Sequence, residues 1–426
     1  MKVLIVGQGA REHALAWKLK KSPSVKKIYV APGNAGIQEM AETVPISVSD
    51  LDALSNFALD KSVDLTVIGP EIPLSMGIVD VFRSKKLRIF GPSMKASKIE
   101  SSKVFAKQLL KKCNIPMALF GIFEKPEEAV GFVSNQRGPL VVKADGLAAG
   151  KGVLICKNKI EAVRAINLML VNKVFGNAGR RIIIEEFLEG KEASLFSLTD
   201  GKNVIMLTTV RDYKRLLDND LGPNTGGMGA YSPIIGLDRE LVDRALDTIM
   251  IPVIKALNNE GCPYTGVLYA GLMVNEGNLK VLEFNCRFGD PETQTLVRCF
   301  NNDLFDYLWG CTYEGGLLNL KPPSYLGTSM CIVLADGGYP ENVKPGKPIQ
   351  GLDKARDIDG VALFHAATAK KDGNIITDGG RIMSVSSHGK NYVEARNKAY
   401  NAAKRIYFSG IYMRSDIGRE AIFNNL

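Results

Sequence analysis

The sequence has little of several residues that common active sites need. Only three of its 426 residues are histidines, and none belongs to an H-E-x-x-H motif, which argues against zinc hydrolysis and leaves no evident base for a catalytic triad. Its seven cysteines are widely spread and form no C-x-x-C pair. This spacing indicates buried thiols rather than a disulfide framework or a zinc knuckle.

Long hydrophobic runs are also missing. No apolar stretch approaches the ~20 residues needed to cross a bilayer, and Val3–Val6 is too short for a signal-peptide core. We therefore expect a cytoplasmic protein without a membrane partner. The 54 Lys and Arg exceed the 45 Asp and Glu by nine, a balance that favours anionic partners such as phosphates or nucleic acid.

The length suggests two to four domains at roughly 150 residues each. The first ~90 residues alternate short β-branched runs with amphipathic segments, which predicts a doubly wound parallel sheet. Ser93–Cys113 is predicted to be one long basic helix. Leu140–Asp200 alternates strands, a glycine-rich loop and a helix, and the pattern after Pro323 predicts a small C-terminal α/β domain packed on the rest. We predict boundaries at 1–106, 107–313 (with a lid subdomain at about 120–190) and 326–426.

The loops of the first region are rich in glycine. Gly7 and Gly9 permit a tight turn at a helix N-terminus, as in a dinucleotide-binding turn. The match fails because Glu12 occupies the third glycine position and no acidic ribose ligand follows the second strand, so a nicotinamide cofactor is not expected. The loop Gly33–Gly36 has the small residues and free amides of a phosphate nest, with an ordinary tight turn as the alternative.

Another glycine-rich loop, Lys143–Gly152, lies between two apolar runs. Its glycine spacing is one residue short of a Walker loop, and a strand follows it where a P-loop would have a helix. The pattern instead predicts a hairpin that carries Lys143 and Lys151 over a triphosphate and acts as a lid. A solvated basic hairpin is the alternative.

Two later strands end in polar residues. Ile182–Leu188 could present a carboxylate to ribose hydroxyls, although an edge strand with solvated acids is the simpler interpretation. Along the strand Leu279–Phe284, period-two alternation puts Glu283, Asn285 and Arg287 on one face. Two hard oxygen ligands beside a guanidinium suit Mg²⁺ and a transferring phosphoryl group, with a cross-strand ion pair as the alternative.

A further glycine-rich loop, Pro223–Gly229, follows the basic stretch Arg211–Arg215. Amide and hydroxyl side chains accompany its glycines, so the backbone could approach an anionic substrate closely. A flexible surface loop is the alternative.

These motifs together resemble those of the phosphoribosylamine–glycine ligases, which are ATP-grasp enzymes of purine biosynthesis. The resemblance runs nearly end to end and is carried by GQGAREHALAW, APGNAG, GPEIPL, VVKADGLAAGKGV, EEFLEGKEAS, GPNTGGMGAYSP, EFNCRFGDPETQ and IYMRSDIG. A biotin-dependent carboxylase is expected to lack GPNTGGMG and FGDPE. Ala10 and Tyr213 depart from the family pattern, which often has glycine and histidine there.

The resemblance implies ATP-driven condensation of glycine with 5-phosphoribosylamine through a glycyl phosphate. It implies an ATP-grasp core, ATP as cofactor and Mg²⁺ or Mn²⁺ as metal. Arg287 and Lys143 are the implied catalytic residues, and Glu283 and Asn285 the metal ligands. The expected nucleotide ligands are Lys103, Lys143, Lys151, Glu186, Leu188 and Glu192. The expected substrate ligands are Gly9, Gly33, Asn34, Gly36, Asp212, Lys214, Asn224, Thr225, Gly226 and Gly227.

Two other functions remain open at this point. The net charge allows a non-catalytic nucleotide or nucleic-acid binder, but the lysines are scattered without interleaved aromatic residues. An ATP-grasp ligase for a different acid or amine is the closer rival. We expect small-molecule substrates, no nucleic-acid partner and a monomer.

Overall fold

The computed structural model describes residues 1–148 and 151–423. Its first region contains β1 (Lys2–Gly7), α1 (Ala10–Leu19), β2 (Lys27–Pro32), β3 (Glu42–Thr43), α2 (Leu51–Asp60), β4 (Leu65–Ile68), α3 (Glu71–Ser75), α4 (Ile78–Ser84), β5 (Ile89–Phe90), α5 (Lys98–Ser101) and α6 (Lys103–Lys112). The strands form a parallel sheet in the order β3-β2-β1-β4-β5. The prediction of a parallel sheet is confirmed.

The prediction of one long helix over Ser93–Cys113 is wrong. Ser102 is extended, with φ −136° and ψ 107°, and separates α5 from α6. Its hydroxyl oxygen accepts a hydrogen bond from the amide of Phe105, so it caps the second helix. Sequence periodicity alone does not reveal such a cap in the middle of an amphipathic stretch.

A four-stranded antiparallel sheet follows. It is built from β6 (Phe120–Phe123), α7 (Pro126–Ser134), β7 (Leu140–Ala144), β8 (Val153–Cys156), α8 (Lys159–Ile166) and β9 (Ile182–Glu186). The order is β6-β9-β7-β8, and the two helices pack together on the apolar side chains of β7 and β9.

The central region continues with β10 (Lys191–Thr199), β11 (Val204–Asp212), β12 (Arg215–Leu217), β13 (Leu221–Asn224), β14 (Gly229–Ser232), α9 (Arg239–Ala245), α10 (Ile251–Asn259), β15 (Gly266–Asn275), β16 (Asn278–Asn285), α11 (Glu292–Cys299) and α12 (Leu304–Gly310). β12 and β13 form a separate hairpin. None of the helices in the described ranges is long and apolar enough to cross a membrane.

The C-terminal region contributes β17 (Thr328–Asp336), α13 (Leu352–Arg356), β18 (Val361–His365), β19 (Thr368–Lys371), β20 (Asn374–Thr377), β21 (Arg381–Gly389), α14 (Tyr392–Ala403), β22 (Ile411–Tyr412) and α15 (Arg419–Phe423). Its strands extend the central sheet, whose order is β16-β15-β10-β11-β14-β17-β21-β18 with β22 beside β17. The junction is the antiparallel β14–β17 pair. The C-terminal region is therefore joined to the centre by backbone hydrogen bonds as well as by packing.

Candidate active site

The first group of charges in the candidate site joins the two lysine-bearing elements around one carboxylate. Lys143 on β7 and Lys107 on α6 both pair with Glu185 on β9, at N–O distances of 2.9 and 3.1 Å. All three side chains are buried. Burial lowers the pKa of Lys107 to about 8, although Glu185 opposes the shift. Two cations share one anion, so the group has a positive excess that an anionic ligand would balance.

Glu186 is the predicted nucleotide ligand, whereas the lysine pairing of Glu185 and the position of Lys107 were not predicted. Lys143 lies opposite Ile183 in the β7–β9 pair, so Glu185, two residues further on, is on the same face of the sheet. Glu186 points elsewhere: its Oε1 accepts hydrogen bonds from the amide of Leu119 and the Nζ of Lys280, both at 3.1 Å. The strand periodicity was the available signal, but it needed the register of the partner strand.

Lys103 begins α6 at the foot of the glycine-rich hairpin. Its Nζ donates to the carbonyl of Gly146 at 3.4 Å, and burial lowers its pKa, with nearby Lys143 lowering it further. The structure thus brings Lys103 and Lys143 together as predicted. Lys151 is exposed. Ala149 and Gly150, which belong to the predicted lid, lie outside the described residues.

Glu283 is the acidic centre of the site. It lies on β16, and although burial raises its pKa, the lysines at 214, 143 and 103 outweigh that effect and lower the pKa. Lys214 approaches Glu283 to 4.0 Å and pairs more closely with Glu192, at 2.8 Å. Glu283 is therefore ionised at neutral pH among cations from three separate elements.

The donor atoms at Glu283 and Asn285 fit a hard divalent cation. A carboxylate and an amide oxygen suit Mg²⁺ that takes its other ligands from phosphate oxygens and water. Across residues 1–148 and 151–423, no group of three or more His, Cys, Asp or Glu side chains is placed to hold a metal ion. Glu283 and Asn285 remain the metal ligands that the sequence predicts.

Asp212 and Lys214 lie at and just beyond the end of β11. Burial raises the pKa of Asp212 to about 7, even though Lys214 opposes the shift. Leu188 is buried in the connection between β9 and β10, where the small sheet meets the central one. Lys214 lies 4.0 Å from Glu283, so this end of β11 borders the same cleft between the two sheets as Glu283.

Arg287 follows β16 and is held by two carboxylates from different regions. Its Nε lies 3.2 Å from Glu71 at the start of α3, and its Nη2 lies 3.2 Å from Glu100 on α5. These carboxylates outweigh burial and raise the pKa of Arg287. Neither partner was predicted, because their distance from Arg287 along the chain hides the contact.

Three amide groups of the Gly33–Gly36 loop are not free, contrary to the prediction. Gly33 donates to the carbonyl of Gly7 at 3.1 Å, and Ala35 donates to that of Thr368 at 3.3 Å. Gly36 donates to the side-chain oxygen of Asn34 at 3.0 Å, which folds back as Asn side chains do in turns. The prediction missed that the C-terminal region covers this loop.

His365 provides most of that cover. The side-chain amide of Asn34 donates to the carbonyl of His365 at 2.7 Å, and the His365 amide donates to Nδ1 of His13 at 2.9 Å. A Cβ at Gly36 would lie 2.3 Å from Cγ of His365. Gly36 is thus required for close packing of the first and last regions.

The glycines of the first loop make room for a side chain of the protein itself. Glu12 is buried, and its carboxylate accepts a hydrogen bond from the amide of Gly9 at 2.6 Å. A Cβ at Gly69 would lie 1.8 Å from Glu12 Oε1, and one at Gly7 would lie 2.5 Å from its Cγ. The carboxylate therefore occupies space that the dinucleotide-like pattern seemed to keep for a ligand.

The Asn224–Gly227 loop is fixed on two sides. The amide and hydroxyl of Thr225 both donate to the carbonyl of Lys214, at 2.7 and 2.8 Å. From the C-terminal region, Arg381 donates to the carbonyl of Gly226 at 2.6 Å. Gly227 has φ +112°, and a Cβ there would lie 2.4 Å from Pro291. The loop is thus held beside Lys214.

Comparison with known proteins places the whole chain in one family. Residues 1–100, 101–293 and 329–420 match the N, ATP-grasp (A) and C domains of phosphoribosylglycinamide synthetase. Proteins named phosphoribosylamine–glycine ligase from Caldanaerobacter subterraneus and Vibrio parahaemolyticus are 47% and 45% identical to it. The matches cover 98% and 99% of this chain, and 99% of each relative.

Solved structures with the same fold support this family assignment. A crystal structure of phosphoribosylamine–glycine ligase from Thermotoga maritima superposes with a TM-score of 0.85 at 35% identity, over 98% of this chain and 100% of that one. The biotin carboxylase domain of a Hydrogenobacter thermophilus carboxylase, solved with MgADP, shares the fold at 19% identity, with a TM-score of 0.72 over 97% of this chain and 91% of that one. The predicted fold class is confirmed, and the chain belongs to the phosphoribosylglycinamide synthetase family of ATP-grasp ligases.

Proposed function

We propose that the protein joins glycine to 5-phosphoribosylamine, cleaving ATP to ADP and phosphate, through a glycyl phosphate intermediate and with Mg²⁺ or Mn²⁺. The observation that carries this proposal is the group of three lysines around Glu283. Phosphoryl transfer depends mainly on positioning and on neutralising charge, and this arrangement supplies both. No cysteine or histidine nucleophile is needed.

ATP is assigned to the cleft between the four-stranded sheet and the central sheet. Lys103 and Lys143 hold its phosphates, because these two lysines lie close together beside Glu283, and Lys151 is assigned to reach over them. Glu186, Leu188 and Glu192 hold adenine and ribose at the β9–β10 connection. When bound to Glu283 and Asn285, the divalent cation supplies charge neutralisation and orientation to the phosphates.

Glycine and the amine are assigned to the side of the cleft that faces the first region. Lys214, on the cleft side of the Asn224–Gly227 loop, attracts the glycine carboxylate, with Asp212 beside it. Arg287 stabilises the charge of the transferring phosphoryl group. The first-region loops at Gly9, Gly33, Asn34 and Gly36 shape the amine site, although the amides of Gly9, Gly33 and Gly36 donate within the chain.

Other features remain predictions. They are the domain boundaries at 106–107, 313 and 326, the lid at about 120–190, the monomeric state and the cytoplasmic location.

The decisive experiment measures ADP release and product mass with purified protein. We expect ADP only when ATP, a divalent cation, glycine and phosphoribosylamine are all present, with glycinamide ribonucleotide formed in equal amount. Alanine in place of glycine, and ammonia in place of the phosphorylated amine, serve as controls. Equal turnover with another acid or amine would favour the rival ATP-grasp ligase, and nucleotide binding without turnover would favour the non-catalytic binder.

A further inference from the structure

Glu71 is the acidic residue of the GPEIPL motif, and no step above uses it. It follows β4 and begins α3, so it lies at the carboxyl end of a parallel strand, where ligands of such sheets bind. Its side chain crosses from the first region to the central one and contacts Arg287 at 3.2 Å. Glu71 therefore joins the proposed amine side of the cleft to the residue nearest the phosphoryl chemistry.

The two carboxylates that hold Arg287 are not equivalent. Glu100 is buried, with 7% of its side chain exposed, and its Oε2 also accepts a hydrogen bond from the amide of Cys286 at 2.8 Å. The side chain of Glu71 is 27% exposed, so a ligand can reach its carboxylate. When a phosphate competes for Arg287, Glu71 is the partner that can release the guanidinium.

The order of charged side chains along the cleft indicates which part of the substrates lies beside Glu71. Glu283 and the lysines lie at one end, Arg287 follows on the same chain segment, and Glu71 lies beyond Arg287 toward the first sheet. In the proposed reaction the amine must approach a carbonyl carbon bonded to the phosphate that Arg287 holds. Because Glu71 contacts Arg287 at 3.2 Å, its carboxylate is close to that carbon and to the incoming amine.

We propose that Glu71 binds the amino group of phosphoribosylamine and accepts its proton, an inference that rests on the proposed function. The amine lone pair forms the bond to the glycyl carbonyl carbon. The bond from that carbon to the phosphate oxygen breaks, and phosphate leaves with the electron pair. The proton lost from nitrogen passes to the Glu71 carboxylate, so atoms and charge balance without another reactant.

The charge on Glu71 is consistent with this role. Burial raises its pKa, but Arg287 and Arg11 outweigh burial and lower it. The carboxylate is thus ionised while Arg287 contacts it. Once Arg287 turns to phosphate, Glu71 loses its nearest cation and becomes a better proton acceptor. Proton transfer is then coupled to the presence of the acyl phosphate.

The test separates the two halves of the reaction in Glu71→Gln. Glycyl phosphate formation is followed by positional isotope exchange in ATP labelled with ¹⁸O at the β,γ bridge, with glycine and without amine. Amide formation is followed by complete turnover. We expect exchange within about 3-fold of wild type but a loss of turnover of about 10²-fold or more, which is the usual contribution of a general base. Glu42→Gln, an exposed change in the same sheet, should alter neither.

Three results would count against the inference. Turnover of Glu71→Gln near the wild-type rate would show that the carboxylate is not needed. A parallel loss of exchange and turnover would assign Glu71 to fixing Arg287 alone. If Glu71→Gln does not fold, Glu71→Asp replaces it, with turnover again falling more than exchange. If wild-type protein shows no glycine-dependent exchange, the glycyl phosphate route itself fails and this inference fails with it.

Discussion

The two sides of the cleft use their polar groups in different ways. On the side to which we assign the nucleotide, charges from separate elements face one another, as when Lys143 and Lys107 share Glu185. On the side of the first sheet, the loop amides and glycines serve the protein itself, as when Gly9 donates to Glu12. The difference teaches that a glycine-rich loop does not by itself indicate a ligand site. An imbalance of buried charge is the stronger indication.

Among the tests of this comparison, we expect the largest loss of activity from Lys143→Met. The change removes a cation assigned to the ATP phosphates, so kcat should fall about 10²–10³-fold, as for other groups that stabilise developing charge. Lys107 stays beside Glu185, so the fold should persist in thermal melts. Lys151→Met is the matched control from the same motif, and its exposed side chain should give a smaller loss. Equal losses would contradict the distinction between the buried and exposed lysines.

A smaller but still substantial loss of activity is expected from Glu283→Gln. The amide keeps the shape of the side chain but removes the charge proposed to bind metal, so turnover should fall at least about 10-fold. Part of the lost turnover should return at high Mg²⁺ concentration. Glu276→Gln, an exposed change in the turn before β16, is the control. A lower melting temperature with unchanged activity per folded molecule would support the structural ion-pair alternative.

On the other side of the cleft, Gly36→Ala should reduce stability before it affects any substrate. Its Cβ would lie 2.3 Å from the ring of His365, and such overpacking costs about 1–3 kcal/mol of unfolding free energy. Gly131→Ala is the control, because a Cβ at that helical glycine meets nothing within 4 Å and should be neutral or stabilising. A selective rise in KM for phosphoribosylamine at unchanged stability would restore the phosphate-nest prediction.

The smallest expected effect is a fall in stability at acidic pH. Burial lowers the pKa of His365 to about 4, and burial together with His365 lowers that of His13 well below its usual value. Between about pH 6.5 and pH 4 the unfolded chain therefore binds more protons, so stability falls as the pH falls through this window and is unaffected above it. The melting temperature should drop between pH 7.5 and pH 5.5, and drop less in His365→Gln. His388→Gln, at a residue outside this contact, should behave as wild type.

Local pattern predicted the parts of the fold that depend on local sequence. Alternating strands and helices identified the first sheet as a parallel one. The pairing of Glu185 with Lys143 and Lys107 was not predicted, because it depends on which strand lies beside Ile182–Glu186. The prediction of free amides in the Gly33–Gly36 loop was wrong for a related reason. One acceptor is the carbonyl of Thr368, which is more than 300 residues away in the chain.

The site was predictable where residues close in sequence act together. Glu283, Asn285 and Arg287 fall on one segment, so strand periodicity alone could predict that they act together. Glu71 and Glu100, which hold Arg287, come from two other elements. No spacing rule links three such distant positions, and only the assembled fold shows that the arginine is already paired.

The β14–β17 junction also has a consequence for synthesis on the ribosome. β14 lies between β11 and β17 in the sheet, and its partner β17 does not begin until Thr328. Until that strand emerges, β14 is an open edge with unpaired amide and carbonyl groups. The nascent nucleotide-binding region must therefore wait for almost a hundred further residues before its sheet is complete, and a chain that ends before β17 is expected to aggregate.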